Sequence, residues 1–129
     1  MTIVVDTSIL IDHLRGDPRA HSLLRHAFQS NDQRVVASVM TRVEVLVGSQ
    51  SSEEQATRRL LGLFEWVPID ETIADRAGEF GRRFLRSHPG VDPVDLVIAA
   101  TVEQLDAELW TRNIKHFPMF EELLDPYNT

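Results

Sequence analysis

The sequence predicts an α/β fold, a mostly parallel sheet with helices on both faces. Three observations carry the prediction. Short β-branched runs alternate with helical stretches of about 10–18 residues, the pattern of βαβ units. The first run, Thr2-Ile3-Val4-Val5, is continuously apolar, as in a strand buried on both faces. Acidic residues fall at or just after the predicted strand ends, where such folds bind their ligands. The 129 residues fit one domain, 1–129.

The elements follow in order. After Asp6, Thr7 or Ser8 can cap a helix through Ile9, Leu10, Ile11 and Leu14 that Gly16 closes. Pro18 opens a second helix over Leu23, Leu24, Ala27 and Phe28. Val35-Val36-Ala37 is the second strand, followed by a helix over Val39, Val43, Leu46 and Val47 that ends at Gly48 and is apolar almost all round. Ser51-Ser52-Glu53-Glu54 carries a capping-box signature before Ala56, Leu60 and Leu61, and Trp66-Val67-Pro68-Ile69 is a short strand stopped by its proline. Asp70 caps a long helix through Ile73, Ala77, Phe80, Phe84 and Leu85. Asp92-Pro93 starts another, from Val94 to about Leu105, and Glu108 to Thr111 is the fourth strand. The tail from Phe117 to Leu124 is apolar enough to pack back. The Phe80/Phe84 and Phe117/Phe120 pairs read as core or interface.

Composition excludes several chemistries. Without a cysteine there is no disulfide framework, Cys-ligated zinc, iron–sulfur cluster or thiol catalysis. No stretch approaches the ~20 apolar residues of a membrane span, and the first residues lack a basic leader, so a cytoplasmic protein is expected. Thirteen Lys and Arg against twenty Asp and Glu give a net charge of −7, an unhelpful field for a polyanion, which must therefore be met locally. All the basic residues except Lys115 are arginine, whose planar fork suits phosphate.

The chemistry resides in the acids. Asp6 ends the first strand at the rim of a buried sheet, where an unpaired carboxylate is costly to ionise. It either caps the following helix or has another partner. Glu44 stands among apolar neighbours and must be paired with an arginine, kept protonated or bound to a metal. Asp92 and Asp95 share the face of one helical turn; Asp92 is the better cap, which leaves Asp95 freer for other work. The small Ala99-Ala100 pair lets that helix approach the sheet and bring Asp95 near Asp6. Carboxylates converging in a cleft repel unless a cation neutralises them, and oxygen-only donors suit Mg²⁺ or Mn²⁺. Such a site supports hydrolysis of a phosphodiester by an activated water.

Val5-Asp6-Thr7-Ser8, the Glu44 helix, Asp95-Leu96-Val97-Ile98-Ala99-Ala100-Thr101 and Leu109-Trp110-Thr111-Arg112-Asn113 occur in that order along the chain. In these motifs and in its length the sequence resembles the PIN-domain family, specifically its VapC-type toxins. The resemblance implies a three-layer α/β/α sandwich and a Mg²⁺- or Mn²⁺-dependent endoribonuclease, the toxin of a toxin–antitoxin module, neutralised by a VapB-like antitoxin and dimeric. It also implies roles: Asp6, Glu44 and Asp95 match the family's first three acids, with Asp6 and Asp95 as metal ligands. The family often has a fourth acid within or just beyond the Thr-x-Asn segment, which here reads Thr111-Arg112-Asn113-Ile114-Lys115-His116 and has none. Asn113 can position a water or bond an acid there, or Asp92 can supply the charge.

Thr7, Ser8 and Thr111 can hydrogen-bond Asp6 or a metal-bound water, or serve only as caps. Arg112 and Lys115 lie where they meet RNA phosphates or form a solvated turn. The Arg76, Arg82, Arg83 and Arg86 set reads first as a solvated face and second as RNA or antitoxin contact. Of the five histidines only His116 falls near the site, and it is expected to be structural or peripheral. A haloacid-dehalogenase-like phosphatase would need an acid where Ser8 stands, and a phosphoacceptor domain would need an acidic pair at the first strand end. The remaining alternative is a catalytically weak or inactive module of this fold that works through a protein partner.

Overall fold

The computed structural model describes residues 1–128. Four parallel strands form the sheet: β1 (Thr2–Val5), β2 (Arg34–Ser38), β3 (Glu65–Val67) and β4 (Glu108–Trp110), in the order β3-β2-β1-β4. The two strands that meet at its centre are the most apolar. Ile3, Val4 and Val5 are fully buried, as a strand covered on both faces requires.

The pleat divides the core in two. Ile3, Val5, Val35 and Ala37 pack against α1 (Thr7–Leu14), α2 (Pro18–Gln29) and α4 (Glu54–Leu61). Val4, Val36 and Leu109 face α5 (Glu71–Phe84) and α6 (Pro93–Leu105), with Phe80, Leu96, Ile98 and Phe117 filling that layer. The result is the three-layer α/β/α sandwich. Helix α3 (Val39–Gly48) leaves the end of β2, capped by Ser38 Oγ accepting the Met40 N–H at 3.1 Å.

Gly16 closes α1 at φ +84°, a conformation that costs glycine least. Helices α5 and α6 are antiparallel: Arg76 pairs with Glu103, and Gly81 lies so close to Leu96 that an added Cβ would stand 3.0 Å from its Cδ1. The last turn of α5 therefore lies beside the first turn of α6.

Two expectations about these elements are corrected. Neither Thr7 nor Ser8 caps α1; Asp6 occupies the cap position. Helix α3, apolar almost all round in sequence, packs against α1, α6, β2 and α4 and leaves Val43, Leu46 and Val47 exposed. The tail packs back through Phe117, Met119, Phe120 and Leu123, but Leu124 points to solvent. Phe80 and Phe117 are core residues, with Phe84 and Phe120 half-buried against them. No helix among the described residues is long and apolar enough to cross a membrane.

Candidate active site

Asp6 sits where β1 gives way to α1, its N–H still bonded to Trp110 O of β4 at 2.8 Å. Although it stands at the cap position, its side chain caps nothing. Instead Oδ2 accepts two hydroxyls, Ser8 Oγ at 2.8 Å and Thr111 Oγ1 at 2.7 Å. Each hydroxyl is oriented in turn, because its own oxygen accepts a backbone N–H: Arg112 N to Ser8 at 3.1 Å and Asn113 N to Thr111 at 2.9 Å. A hydroxyl that accepts in this way directs its single proton to the carboxylate. Oδ1 of Asp6 has no bonded partner among the described residues.

Glu44 projects from α3 toward the same end of the sheet. Its Oε1 accepts the Thr7 hydroxyl at 2.6 Å, and that hydroxyl lies 3.0 Å from the buried Thr41 Oγ1. No arginine pairs with Glu44 among the described residues, which removes the internal salt bridge as its explanation; Arg42 on the same helix lies over the Trp66 ring at 5.1 Å. Burial raises the Glu44 pKa, the Thr7 bond opposes the rise, and the charges of Asp92 and Asp6 add to it.

Asp92 and Asp95 close a reciprocal box at the start of α6, with Asp95 N bonded to Asp92 Oδ1 at 3.0 Å and Asp92 N to Asp95 Oδ2 at 3.1 Å. Asp95 is therefore not as free as its place one turn into the helix suggests, since one oxygen is committed to the box. That oxygen also lies 3.3 Å from His116 Nδ1. Burial is the largest influence on Asp95, pushing its pKa up to about 6, with Asp92 and Asp6 raising it and the Asp92 N–H and His116 lowering it.

One arrangement recurs in Asp6, Glu44, Asp92 and Asp95: one carboxylate oxygen is held by a donor of the fold and the other is free among the described residues. The donors are oxygen only, the charges of Asp6 and Asp92 raise the pKa of Glu44 and Asp95, and the free oxygens suit a hard divalent cation in kind. As folded, no three acid or imidazole side chains among the described residues stand close enough to hold an ion, so binding would have to draw them together.

The supporting residues divide. Thr7, Ser8 and Thr111 hold acids, as above. The Asn113 side chain makes no hydrogen bond to an acid among the described residues; its backbone is used instead, the N–H on Thr111 Oγ1 at 2.9 Å and the carbonyl accepting the His116 N–H at 2.9 Å. Arg112 turns away from the carboxylates, its Nε bonding Asp12 Oδ2 at 2.9 Å, where Tyr127 Oη also donates at 2.7 Å. Lys115 is exposed, with no carboxylate partner among the described residues.

Asp12, Tyr127 and the contact of His116 with Asp95 are not legible in the sequence as parts of the site. Asp12 stands one helical turn after Ser8 and offers the one available signal, because both face the same turn after β4.

The fold and these side chains define an α/β/α domain with acids placed around the carboxyl ends of a parallel sheet. The PIN domain family model matches residues 3–119. Ribonuclease VapC19 of Mycobacterium tuberculosis (strain ATCC 25618 / H37Rv) is 42% identical over 124 residues, covering 96% of this chain and 98% of the relative. Ribonuclease VapC10 of the same strain is 41% identical over 125 residues, 97% of this chain and 92% of the relative. Among solved structures, a chain of a toxin-antitoxin complex from Klebsiella pneumoniae superposes with a TM-score of 0.79 at 30% identity, covering 98% of this chain and 99% of the other. The chain belongs to the PIN domain family, in its VapC-type group.

Proposed function

We propose that this protein is a metal-dependent endoribonuclease, the toxin of a VapBC-like toxin–antitoxin module acting in the cytoplasm. The observation that carries the reading is the half-held state of its four acids, which leaves one oxygen of each available at the strand ends. Bound Mg²⁺ or Mn²⁺ supplies charge neutralisation at the scissile phosphate and activation of water. Asp6 and Asp95 would hold it through their free oxygens, with Asp92 adding charge where the family's fourth acid is missing. Glu44, its other oxygen fixed by Thr7, is placed to take a proton from the attacking water. Ser8 and Thr111 keep Asp6 from rotating.

A VapB-like antitoxin as partner is supported by the likeness to the Klebsiella toxin-antitoxin complex, and RNA as substrate by the two mycobacterial ribonucleases. A homodimer belongs to the same proposal, and the exposed Val43, Leu46 and Val47 of α3 supply apolar surface for a contact.

The second reading, an inactive module working through a protein partner, is favoured by one observation: no three ligand side chains are gathered among the described residues of the folded chain. Cleavage of total RNA by antitoxin-free protein, with and without Mg²⁺ or Mn²⁺ and beside Asp95→Asn, separates the two. Discrete metal-dependent fragments that disappear in the variant are expected. Equal inertness of both proteins would favour the inactive module.

A further inference from the structure

The chain carries a net charge of −7 and concentrates four acids at one end, so an RNA strand needs a local cationic path to reach them. Half of its twelve arginines do not offer one. Arg15, Arg19, Arg34, Arg58, Arg76 and Arg112 are each engaged by a carboxylate. Four of the remaining seven cations, Arg82, Arg83, Arg86 and Lys115, lie on the end of α5, the connection after it and the 3-10 turn after β4, and have no carboxylate partner among the described residues. Glu79, the acid one turn before Arg82 and Arg83, is taken by Arg76 at 2.8 Å.

Their position follows from the α5–α6 packing. Arg82 and Arg83 are on the last turn of α5, which lies beside the first turn of α6, the turn that carries Asp95; Arg82 is on its outer side, in a groove with Ala74, Asp75, Gly78 and Glu79. Arg86 lies in the connection that runs from Leu85 to Asp92. Lys115 sits on a 3-10 turn, Ile114–His116, whose His116 ring stands against Gly90 of that connection and 3.3 Å from Asp95. All four cations are exposed. Arginines in a last helical turn also complement the helix dipole, but that accounts for neither Arg86 nor Lys115, which lie outside the helix.

We propose that Arg82, Arg83, Arg86 and Lys115 form the track along which single-stranded RNA enters the acid site, gripping its phosphates. The inference rests on the ribonuclease reading and assigns the substrate path. It divides the four arginines of α5 and its exit: Arg76 is a strut between α5 and α6, and the other three bind substrate.

The test uses the full chain carrying Asp95→Asn, so that RNA is not cut, and a fluorescein-labelled mixed-sequence single-stranded RNA read by anisotropy in rising KCl. Adding Arg82→Gln, Arg83→Gln and Arg86→Gln should weaken binding at least tenfold at low salt. It should also flatten the salt slope by about 2, at roughly 0.7 for each phosphate no longer neutralised. The double variant Arg25→Gln and Arg59→Gln, on α2 and α4 of the opposite layer, should bind as the parent does. Unchanged melting confirms the fold of each.

Binding by the triple variant equal to the parent's would overturn the track. So would a loss confined to an acidic polyglutamate probe, which would assign the strip to a protein segment. A parent that binds no RNA at any salt would fail the ribonuclease reading itself, a result distinct from an intact parent with an indifferent strip.

Discussion

Asp6 and Asp95 solve one problem by different means. Each is a nearly buried carboxylate with one oxygen held and one free among the described residues. Asp6 is held by side chains, one of them distant in sequence, since its partner Thr111 comes from the end of β4 and is fixed by the turn that follows. Asp95 is held by the backbone of its own helix start, an N–H that no side-chain substitution removes. The long-range cradle can be dismantled one hydroxyl at a time, whereas the local box can be changed only by altering α6 itself. The cradle surrounds its acid with donors, while the box places a second carboxylate beside it and burial raises the pKa.

The largest effect that separates the two regions is on pH dependence. With its folded pKa pushed to about 6 from an ordinary 3.8, Asp95 binds its proton more tightly folded than unfolded. Its contribution therefore favours the fold below about pH 4 and is lost as pH rises through about 6, a difference on the order of 3 kcal/mol. Burial raises Glu44 in the same direction. Metal-free protein should consequently lose stability in denaturant titrations between about pH 4 and pH 7, and Asp95→Asn should remove most of that loss and stabilise the fold at pH 7. A variant as pH-sensitive as the wild type would remove Asp95 as its source.

Breaking the cradle comes next. Thr111→Val deletes one of the two hydroxyls on Asp6 and leaves the Asn113 N–H without its acceptor, so it should cost about 1–3 kcal/mol in urea unfolding. Metal-dependent cleavage should fall about 10–100-fold, as when a ligand loses its orienting partner. Ser8→Ala should act in the same direction.

The box yields a smaller loss with an opposite electrostatic sign. Asp92→Ala removes the cap on the Asp95 N–H, at about 1 kcal/mol, yet it also removes a charge that raises Asp95. The acid limb of the Asp95 titration, followed by NMR, should move downward. In His116→Ala it should move upward, because His116 lowers that pKa. Smallest of all, Tyr127→Phe should cost ~1 kcal/mol or less and leave cleavage nearly intact, since Arg112 still holds Asp12.

The same contrast explains what sequence alone makes legible. The strand Thr2–Val5, the cap at Asp92 and the close packing of Ala99 and Ala100 are written in neighbouring residues, and the fold follows from such local patterns. The box is half legible: Asp92 as the cap is a local signal, but its reciprocity depends on the χ angles of Asp95. Contacts across many residues are not legible in detail. Thr111 can be placed near Asp6 by the strand-end rule, but the direction of Arg112 depends on Asp12 and Tyr127, and the approach of His116 to Asp95 depends on a 3-10 turn lying against Gly90. The exposure of Val43, Leu46 and Val47 is hidden because an apolar run does not reveal which of its faces the remaining layers leave uncovered.

The central claim is that these acids are held half-engaged for a divalent cation. Thermal melting of metal-free protein at pH 7, titrated with Mg²⁺ and with Mn²⁺, tests it without any RNA. The account predicts a saturable rise in Tm for the wild type that is absent in Asp6→Asn and in Asp95→Asn. A wild type whose Tm ignores both ions, or variants that respond as it does, would contradict it.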